Sequence, residues 1–136
     1  MHTTAITETP ATTDRAATVG RVISVLVSAF LLFDAVIHLL AIEPVVESFR
    51  DLGFPAGQAF AIGVLELLCV ALYVVPRTSV LGALLLTGYL GGAVCAHVRV
   101  EAPLMSTTLF PVYVGIAVVA GLYLRNAKVR ALFSNR

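Results

Sequence analysis

Two carboxylates and an imidazole lie inside apolar stretches of the sequence. Asp34 and His38 interrupt the run FLLFDAVIHLL, and Glu66 interrupts the run GVLELLCVALYVVP. Because Asp34 and His38 are four residues apart, a helix presents them on one face. A charged group near a bilayer centre costs about 2.5–3.5 kcal/mol on insertion scales, so such residues mark a cavity, a proton relay or a ligand site by default. These three residues are the first candidates for chemistry.

Further polar residues extend this candidate site. Tyr73 lies on the same face of its helix as Glu66, and Tyr89 lies in the next apolar segment. We expect both tyrosines to line the pocket. His97 and Arg99 close the third apolar segment and are expected at the pocket mouth, although cationic side chains near an interface also snorkel without a special role.

Composition identifies an integral membrane protein. The chain of 136 residues is 59% hydrophobic and 12% charged, whereas soluble domains have about 25% charged residues. We predict an all-α fold, an integral membrane four-helix transmembrane bundle over residues 19–126, between a disordered tail at 1–18 and a basic tail at 127–136. The predicted helices cover residues 22–42, 58–75, 79–98 and 109–124.

Positive charges predict the orientation. Seven Lys and Arg residues lie on the side of the membrane that the two termini and the second loop share, and two lie on the other side. Cytoplasmic loops carry the excess of such residues, so we expect both termini in the cytoplasm and the chain in the cell membrane. The helical rise then places the acids and histidines in the outer half of the bilayer. The basic C-terminal tail is expected on anionic lipids of the inner leaflet.

The loops carry two local signals. In the first outer loop, EPVVESFRDLGFPAGQ, Val45, Val46 and Phe49 recur at helical spacing. This loop is either an interfacial helix that covers the cavity or a solvated connector. The second loop, PRTS, predicts a tight turn in which proline ends one helix and Thr or Ser caps the next.

Glycines mark a candidate packing surface on the third segment. Gly88 and Gly92 form a GxxxG pair, which lets another helix backbone approach closely. We assign Gly88, Gly91 and Gly92 to helix packing. The contact lies either within the chain or with a second copy or a partner subunit.

Two interpretations of the buried polar groups stay open. In the first, they only clamp helices together through hydrogen bonds, which average about 0.6 kcal/mol in membranes. In the second, they surround a polar cavity for a small amphipathic ligand, with a quinone head group as the first candidate. A Ser or Asn would clamp helices at a lower insertion cost, which favours the cavity.

Several classes of function lack support in the sequence. No CxxC motif or Cys/His cluster predicts a metal, a haem or an iron–sulfur centre. The net charge of +1 gives no case for nucleic acid as a partner. The expected partners are membrane lipids and either a redox subunit or a second copy of the chain.

The stretch LYVVPRTSVLGALLLTGYLGGAVCAHVRV, followed by FPVYVGIAVVAGLYLRNAKVRALF, resembles the DoxX-like family of small four-helix membrane proteins. The PRTSVLGA turn, the LTGYLGGA segment and the closing GLYLR carry the resemblance, which extends from Arg21 to the C-terminus and includes FDAVIHLL. The family takes its name from a small subunit of a thiosulfate:quinone oxidoreductase, and other members are associated with redox enzymes or membrane-protein assembly. No catalytic assignment transfers to these residues.

The resemblance implies an accessory subunit of a membrane redox enzyme, not catalytic on its own. The alternative is a structural or assembly factor for other membrane proteins, without ligand chemistry. A small proton-coupled transporter is a third possibility, but the sequence has no inverted repeat or broken helix that would support it. The acids on the first two helices are also similar to EXPERA-type proteins, which bind sterol-like ligands, but only in architecture.

Overall fold

Helices form the regular structure of residues 11–55 and 57–134, which the computed structural model describes. No strand occurs in these residues, so the all-α prediction is confirmed. A π-helical turn at Leu104–Thr108 precedes the fifth α-helix. The α-helices are α1 (Ala11–Leu39), α2 (Glu43–Asp51), α3 (Gln58–Val74), α4 (Ser79–Arg99), α5 (Phe110–Arg125) and α6 (Ala127–Ser134).

Three helical stretches are long and apolar enough to cross a membrane. They are Arg15–Leu39, Ser79–Arg99 and Leu104–Arg125. The fourth apolar helix, α3, has 17 residues. At the helical rise this is about 25 Å, somewhat short of the roughly 30 Å hydrocarbon core. A fourth crossing, by α3, therefore stays a prediction.

The four apolar helices pack in a ring. α1 packs against α3 and α5, and α4 packs against the same two helices. Apolar side chains such as Leu31, Leu86 and Val118 fill the centre. The outer faces are apolar as well, for example at Leu26 and Leu84, which are 65% and 69% exposed. Helices that are hydrophobic on every face are typical of membrane spans.

α1 begins earlier than the sequence predicts. It starts at Ala11, so residues 11–18 are helical where a disordered tail was expected. The first ten residues of that tail lie outside the described part of the chain. Extending an existing helix fixes one residue for each new hydrogen bond, whereas nucleation is costly. The long apolar helix can therefore continue into a polar segment that has no apolar periodicity of its own.

The amphipathic first loop contains a helix. α2 has Pro44 in its first turn and buries Val45 and Phe49, each 9% exposed. These side chains pack against Ala59 of α3. The helical spacing is thus confirmed, and the interpretation as a solvated connector is wrong because α2 shares a small apolar core with the larger helices.

The turn between α3 and α4 differs from its predicted form. Neither hydroxyl caps α4: Thr78 Oγ1 donates to the Leu72 carbonyl at 2.8 Å, and Ser79 Oγ donates to the Pro76 carbonyl at 3.1 Å. The last carbonyls of a helix have no partner within that helix. The hydroxyls therefore satisfy the end of α3 and the turn instead of the start of α4.

Two glycines set the closest helix contacts. A Cβ at Gly82 would lie 2.2 Å from the backbone nitrogen of Tyr73, and one at Gly20 would lie 2.5 Å from that of Arg125. Both distances are shorter than non-bonded atoms can tolerate. α4 therefore meets α3, and α1 meets α5, at positions where only glycine fits.

The glycines that the sequence assigned to helix packing do not lie at these close helix contacts. No atom lies within 4 Å of a Cβ at Gly88, Gly91 or Gly92 among the described residues. Of the two alternatives, packing within the chain is not found among the described residues, because these faces of α4 border open space instead of a helix. Their contact with a second chain stays a prediction.

We expect glycine-to-alanine substitutions at two positions of α4 to change the free energy of unfolding in opposite directions. Gly82→Ala should lower the free energy of unfolding by about 1–3 kcal/mol, since the added methyl group overlaps backbone that cannot move freely. Gly91→Ala should raise it by up to about 1 kcal/mol, because alanine is the better helix former and meets no neighbour. Denaturant unfolding of the two purified variants in the same detergent measures the difference. Equal effects would contradict the assignment.

Candidate functional site

Asp34, His38 and Glu66 meet between α1 and α3. His38 Nδ1 lies 3.4 Å from Asp34 Oδ2 and 3.8 Å from Glu66 Oε2. Glu66 is fully buried, at 0% exposure, and the other two side chains are half-buried. An isolated carboxylate in an apolar interior would be very costly. These distances place both carboxylates near the same imidazole.

Gly63 brings the two helices close enough for this contact. A Cβ at Gly63 would lie 2.9 Å from His38 Cβ and 3.0 Å from the backbone nitrogen of Leu39. Glu66 follows Gly63 by three residues, so both lie on the face of α3 that meets α1. The absence of a side chain at position 63 thus lets the carboxylate of Glu66 reach the imidazole of His38.

The hydrogen bonds of the cluster fix the direction of its donors. His38 Nδ1 lies 2.7 Å from the Asp34 carbonyl oxygen. Because a carbonyl only accepts, Nδ1 is the protonated ring nitrogen in this contact. Tyr89 of α4 donates its hydroxyl hydrogen to Glu66 Oε2 at 3.0 Å. The other carboxylate oxygen, Glu66 Oε1, is buried and has no hydrogen-bond partner in the described part of the chain.

A partly open cavity of about 760 Å³ borders this cluster. Its polar lining includes Asp34, His38, Glu66, Tyr89 and His97, and its walls are mostly leucine, phenylalanine and other apolar side chains. Neither Lys nor Arg belongs to the lining residues. The volume falls in the range of about 300–1,000 Å³ that is typical of small-molecule sites.

α2 covers one end of the cavity. Its residues Ser48 and Phe49 belong to the lining, as does Leu52 just after it. The ring of Phe49 meets the His38 imidazole edge to face, with 5.4 Å between the centroids. Arg99 donates to the Leu52 carbonyl oxygen, which ties the end of α4 to the segment after α2. The sequence interpretation of this loop as a cover over the cavity agrees with these contacts.

The structure brings together most of the residues that the sequence singled out. Tyr89 and His97 line the cavity as predicted. Arg99 is exposed and lies next to the lining through its bond to Leu52, not in it. Gly88 and Gly92 line the cavity, so their role is to leave space there instead of packing.

Tyr73 is not part of the cavity lining, and its predicted place there is wrong. The side chain is fully buried in the core. Its hydroxyl donates to the Val118 carbonyl at 2.9 Å, and the Ser24 hydroxyl lies 3.0 Å away on the other side. The guanidinium of Arg125 lies 4.7 Å from the ring centroid. Glu66 and Tyr73 lie on one face of α3 by their spacing, but these core partners hold the phenol of Tyr73 in the core and not in the cavity lining.

Sequence reasoning missed two contributors to the site. Gly63 is a lone glycine inside an apolar helical run, where glycine costs about 1 kcal/mol relative to alanine. Its position three residues before an acid was a signal for close approach at that acid. The contact of Phe49 with His38 had no such signal, since only the fold of α2 brings that ring over the imidazole.

The cluster also has the donor types of a metal site. One possible ligand atom from each of Asp34, His38 and Glu66 lies within 4.8 Å of the others, and carboxylate with imidazole suits several divalent cations. His38 Nδ1 donates to a backbone carbonyl, an arrangement that is also common for a histidine that binds a metal through Nε2.

The cavity residues lie within a stretch of the chain that has known relatives. A sequence model of the DoxX-like family matches residues 22–121. The chain belongs to the DoxX-like family. Comparison with curated proteins and with solved structures gave no match. The matched region contains every residue that lines the cavity, and it ends before α6. Family membership and the long apolar helices point to a membrane location.

Removal of the hydrogen bond to Glu66 tests the cluster itself. Tyr89→Phe should lower the free energy of unfolding by about 1–3 kcal/mol, because it leaves a buried carboxylate with one partner fewer. Tyr113→Phe is the matched control, since Tyr113 lies on the exposed face of α5. Unfolding in detergent measures both variants. A loss no larger in Tyr89→Phe than in the control would contradict the hydrogen bond to Glu66.

Proposed function

We propose that this DoxX-like protein is an accessory membrane subunit that binds a small amphipathic molecule, with a quinone as the first candidate. The supporting observation is Glu66, a residue of the cavity lining whose buried oxygen Oε1 has no hydrogen-bond partner among the described residues. Buried polar groups are almost always hydrogen-bonded, so an exception calls for an explanation. A bound head group would supply the missing partner.

The shape of the cavity favours a ligand over a helix clamp. A clamp needs only side chains that satisfy one another, and it leaves no reason for about 760 Å³ of space beside them. The lining combines a few polar groups at one place with apolar walls such as Phe30, Leu65 and Phe110. Such a combination accommodates a molecule with a polar head and an apolar body.

The ligand would reach the site from the membrane. Leu65 and Leu84 line the cavity and are also 51% and 69% exposed on the outer faces of α3 and α4. An amphipathic molecule dissolved in the bilayer would therefore meet an apolar entrance. With the termini on the cytoplasmic side, as the distribution of Lys and Arg favours, the head group would lie in the outer half of the bilayer.

In this proposal the chain binds the head group and exchanges protons with it, while a partner enzyme carries out the electron transfer. Half-exposed Asp34 and buried Glu66 each place a carboxylate oxygen near the same ring nitrogen, His38 Nδ1. When both ring nitrogens are protonated, the imidazolium can give its Nδ1 proton to either carboxylate, and the neutral ring can take it back from the other. The three side chains thus form a short path between the head group and the half-exposed edge of the cluster.

A second candidate function is docking onto other membrane proteins. A separate apolar groove of about 840 Å³ lies along α4 and α5, where Gly91 and Gly115 leave room for a neighbouring helix. Close approach at small residues drives helix association in membranes. This groove supports the assembly alternative, and Gly88 and Gly92 are not among its lining residues.

Two leucine substitutions on α4 separate ligand binding from docking. Gly88→Leu should reduce the affinity for a short-chain ubiquinone at least tenfold, because the new side chain occupies the cavity, while the thermal midpoint stays near that of wild type. Gly91→Leu should leave ubiquinone binding intact and instead reduce copurification with partner proteins if the groove docks them. Equilibrium dialysis of the purified variants measures the affinity. Wild-type ubiquinone affinity in Gly88→Leu would contradict the cavity as the binding site.

The charge at position 34 tests whether the polar groups do more than hold helices. Asp34→Asn keeps the size and the hydrogen-bonding capacity of the side chain but removes the charge and the exchangeable proton. We expect the variant to insert and fold, and to lose ubiquinone binding or the activity of the partner enzyme. Asp51→Asn, at an exposed position on α2, is the matched control. Unchanged binding and activity in Asp34→Asn would favour a helix clamp.

A further inference from the structure

The apolar groove along α4 and α5 differs from the cavity in its lining. No charged residue lines it, and Thr87 and Tyr123 are its only lining residues with a polar side-chain atom. The Thr87 hydroxyl already donates to the Ala83 carbonyl at 2.8 Å. The walls of the groove therefore suit an apolar chain, and Tyr123 marks the end near the C-terminus of α5.

The length of the groove fits one leaflet of a membrane. On α5 its lining extends from Pro111 to Tyr123, which is about 18 Å at the helical rise. Half of the roughly 30 Å hydrocarbon core is about 15 Å. A partner helix that crosses the membrane extends over the whole core, whereas an acyl chain occupies one leaflet. The length therefore favours a lipid chain over a partner helix as the occupant.

α6 lies against the end of the groove near Tyr123. Asn126 Oδ1 accepts hydrogen bonds from the backbone N–H groups of Lys128 and Val129, at 3.0 and 3.3 Å, and so caps the start of the helix. Val129 packs against the core, and the rings of Phe133 and Tyr123 lie 6.0 Å apart. Both Val129 and Phe133 line the groove. Since so short a helix is not stable alone, these contacts hold it beside the groove.

Positive charge is concentrated at this end of the groove. Arg125, Lys128 and Arg130 lie close together in the sequence, and residues 102–136 contain no Asp or Glu. None of the three forms an ion pair within the part of the chain that the structure describes. Arg125 and Arg130 each donate to a backbone carbonyl, whereas Lys128 is exposed. Ammonium and guanidinium groups bind phosphate through charge-assisted hydrogen bonds, so this end of the groove is complementary to a phosphate.

We propose that the groove binds one anionic phospholipid, with an acyl chain along α5 and the phosphate head group at Lys128 and Arg130. A zwitterionic lipid binds less tightly, because its own positive group lies near the same cations. The site is separate from the cavity beside Glu66 and does not rest on the ligand proposed for that cavity. A partner helix in the groove would compete with the lipid for the same surface.

Tryptophan fluorescence tests the site, because the chain has no Trp of its own. Tyr123→Trp places a single reporter in the groove, and Leu68→Trp places one on the exposed outer face of α3, outside the groove lining. Each full-length variant is reconstituted in phosphatidylcholine with increasing fractions of brominated phosphatidylglycerol or brominated phosphatidylcholine, whose bromines quench a neighbouring indole. At position 123 we expect phosphatidylglycerol to bind about tenfold more tightly than phosphatidylcholine, since each of two cations contributes about fivefold. At position 68 the two lipids should bind about equally.

Substitutions in the Tyr123→Trp background locate the head group and the acyl chain. Lys128→Gln should lower the preference for phosphatidylglycerol about fivefold, because it removes one cation. Arg77→Gln removes the same charge from the exposed turn between α3 and α4 and should leave the preference unchanged. Gly91→Leu should abolish the preference, because its side chain occupies the groove, where a Cβ would meet no atom within 4 Å among the described residues.

Several outcomes would overturn the proposal. One is the same lipid preference at positions 123 and 68. Another is an unchanged preference in Lys128→Gln, which would place the head group elsewhere, or in Gly91→Leu, which would attribute the preference to surface charge alone. A reporter at position 123 that neither brominated lipid quenches would indicate a protein in the groove instead of a lipid. If Tyr123→Trp does not fold, Phe133→Trp reports from the same end of the groove.

Discussion

A carboxylate buried inside an apolar helix must find partners on its neighbours, and Glu66 imposes that requirement on the surrounding structure. One partner comes from α4, through the Tyr89 hydroxyl, and another from α1, through His38. The imidazole can reach it because α1 and α3 approach closely at Gly63. The relative positions of three helices at this level of the fold thus follow from the need to surround one charged group.

The chain contains a second polar cluster, and the comparison shows how a structural cluster differs from a candidate site. In the core, the Tyr73 hydroxyl bonds the Val118 carbonyl and the Ser24 hydroxyl, with Arg125 over the ring. The phenol there has its partners, although the buried Nε of Arg125 has none among the described residues. At the Glu66 cluster, one carboxyl oxygen has no partner among the described residues, and Glu66 itself lines a cavity. Polar side chains hold helices together in both places, and Tyr73 and Arg125 are not among the residues that line this cavity.

The sequence predicted the elements and most of the site, because burial of charge in apolar runs is visible without a structure. Asp34, His38 and Glu66 follow from helical spacing and depth, and α2 follows from the spacing of Val45 and Phe49. The wrong predictions concern residues whose surroundings depend on contacts between helices. Tyr73 shares a stripe with Glu66 yet turns into the core, and the GxxxG pair borders a cavity although its spacing is typical of packing. Spacing defines a face of a helix, but it does not say what lies opposite.

The glycines of α4 that line the cavity differ from the glycines at the helix contacts. The size of the cavity and the stability of the fold therefore depend on different residues. The helix contacts rest on Gly20, Gly63 and Gly82, where any side chain would collide with backbone or with a neighbouring side chain. A Cβ at Gly88 or Gly92 would meet no atom within 4 Å among the described residues, so a methyl group at either position would reduce the volume of the cavity without disturbing a helix contact. A lineage could therefore change the size of the cavity by single-carbon steps while inheriting the same fold.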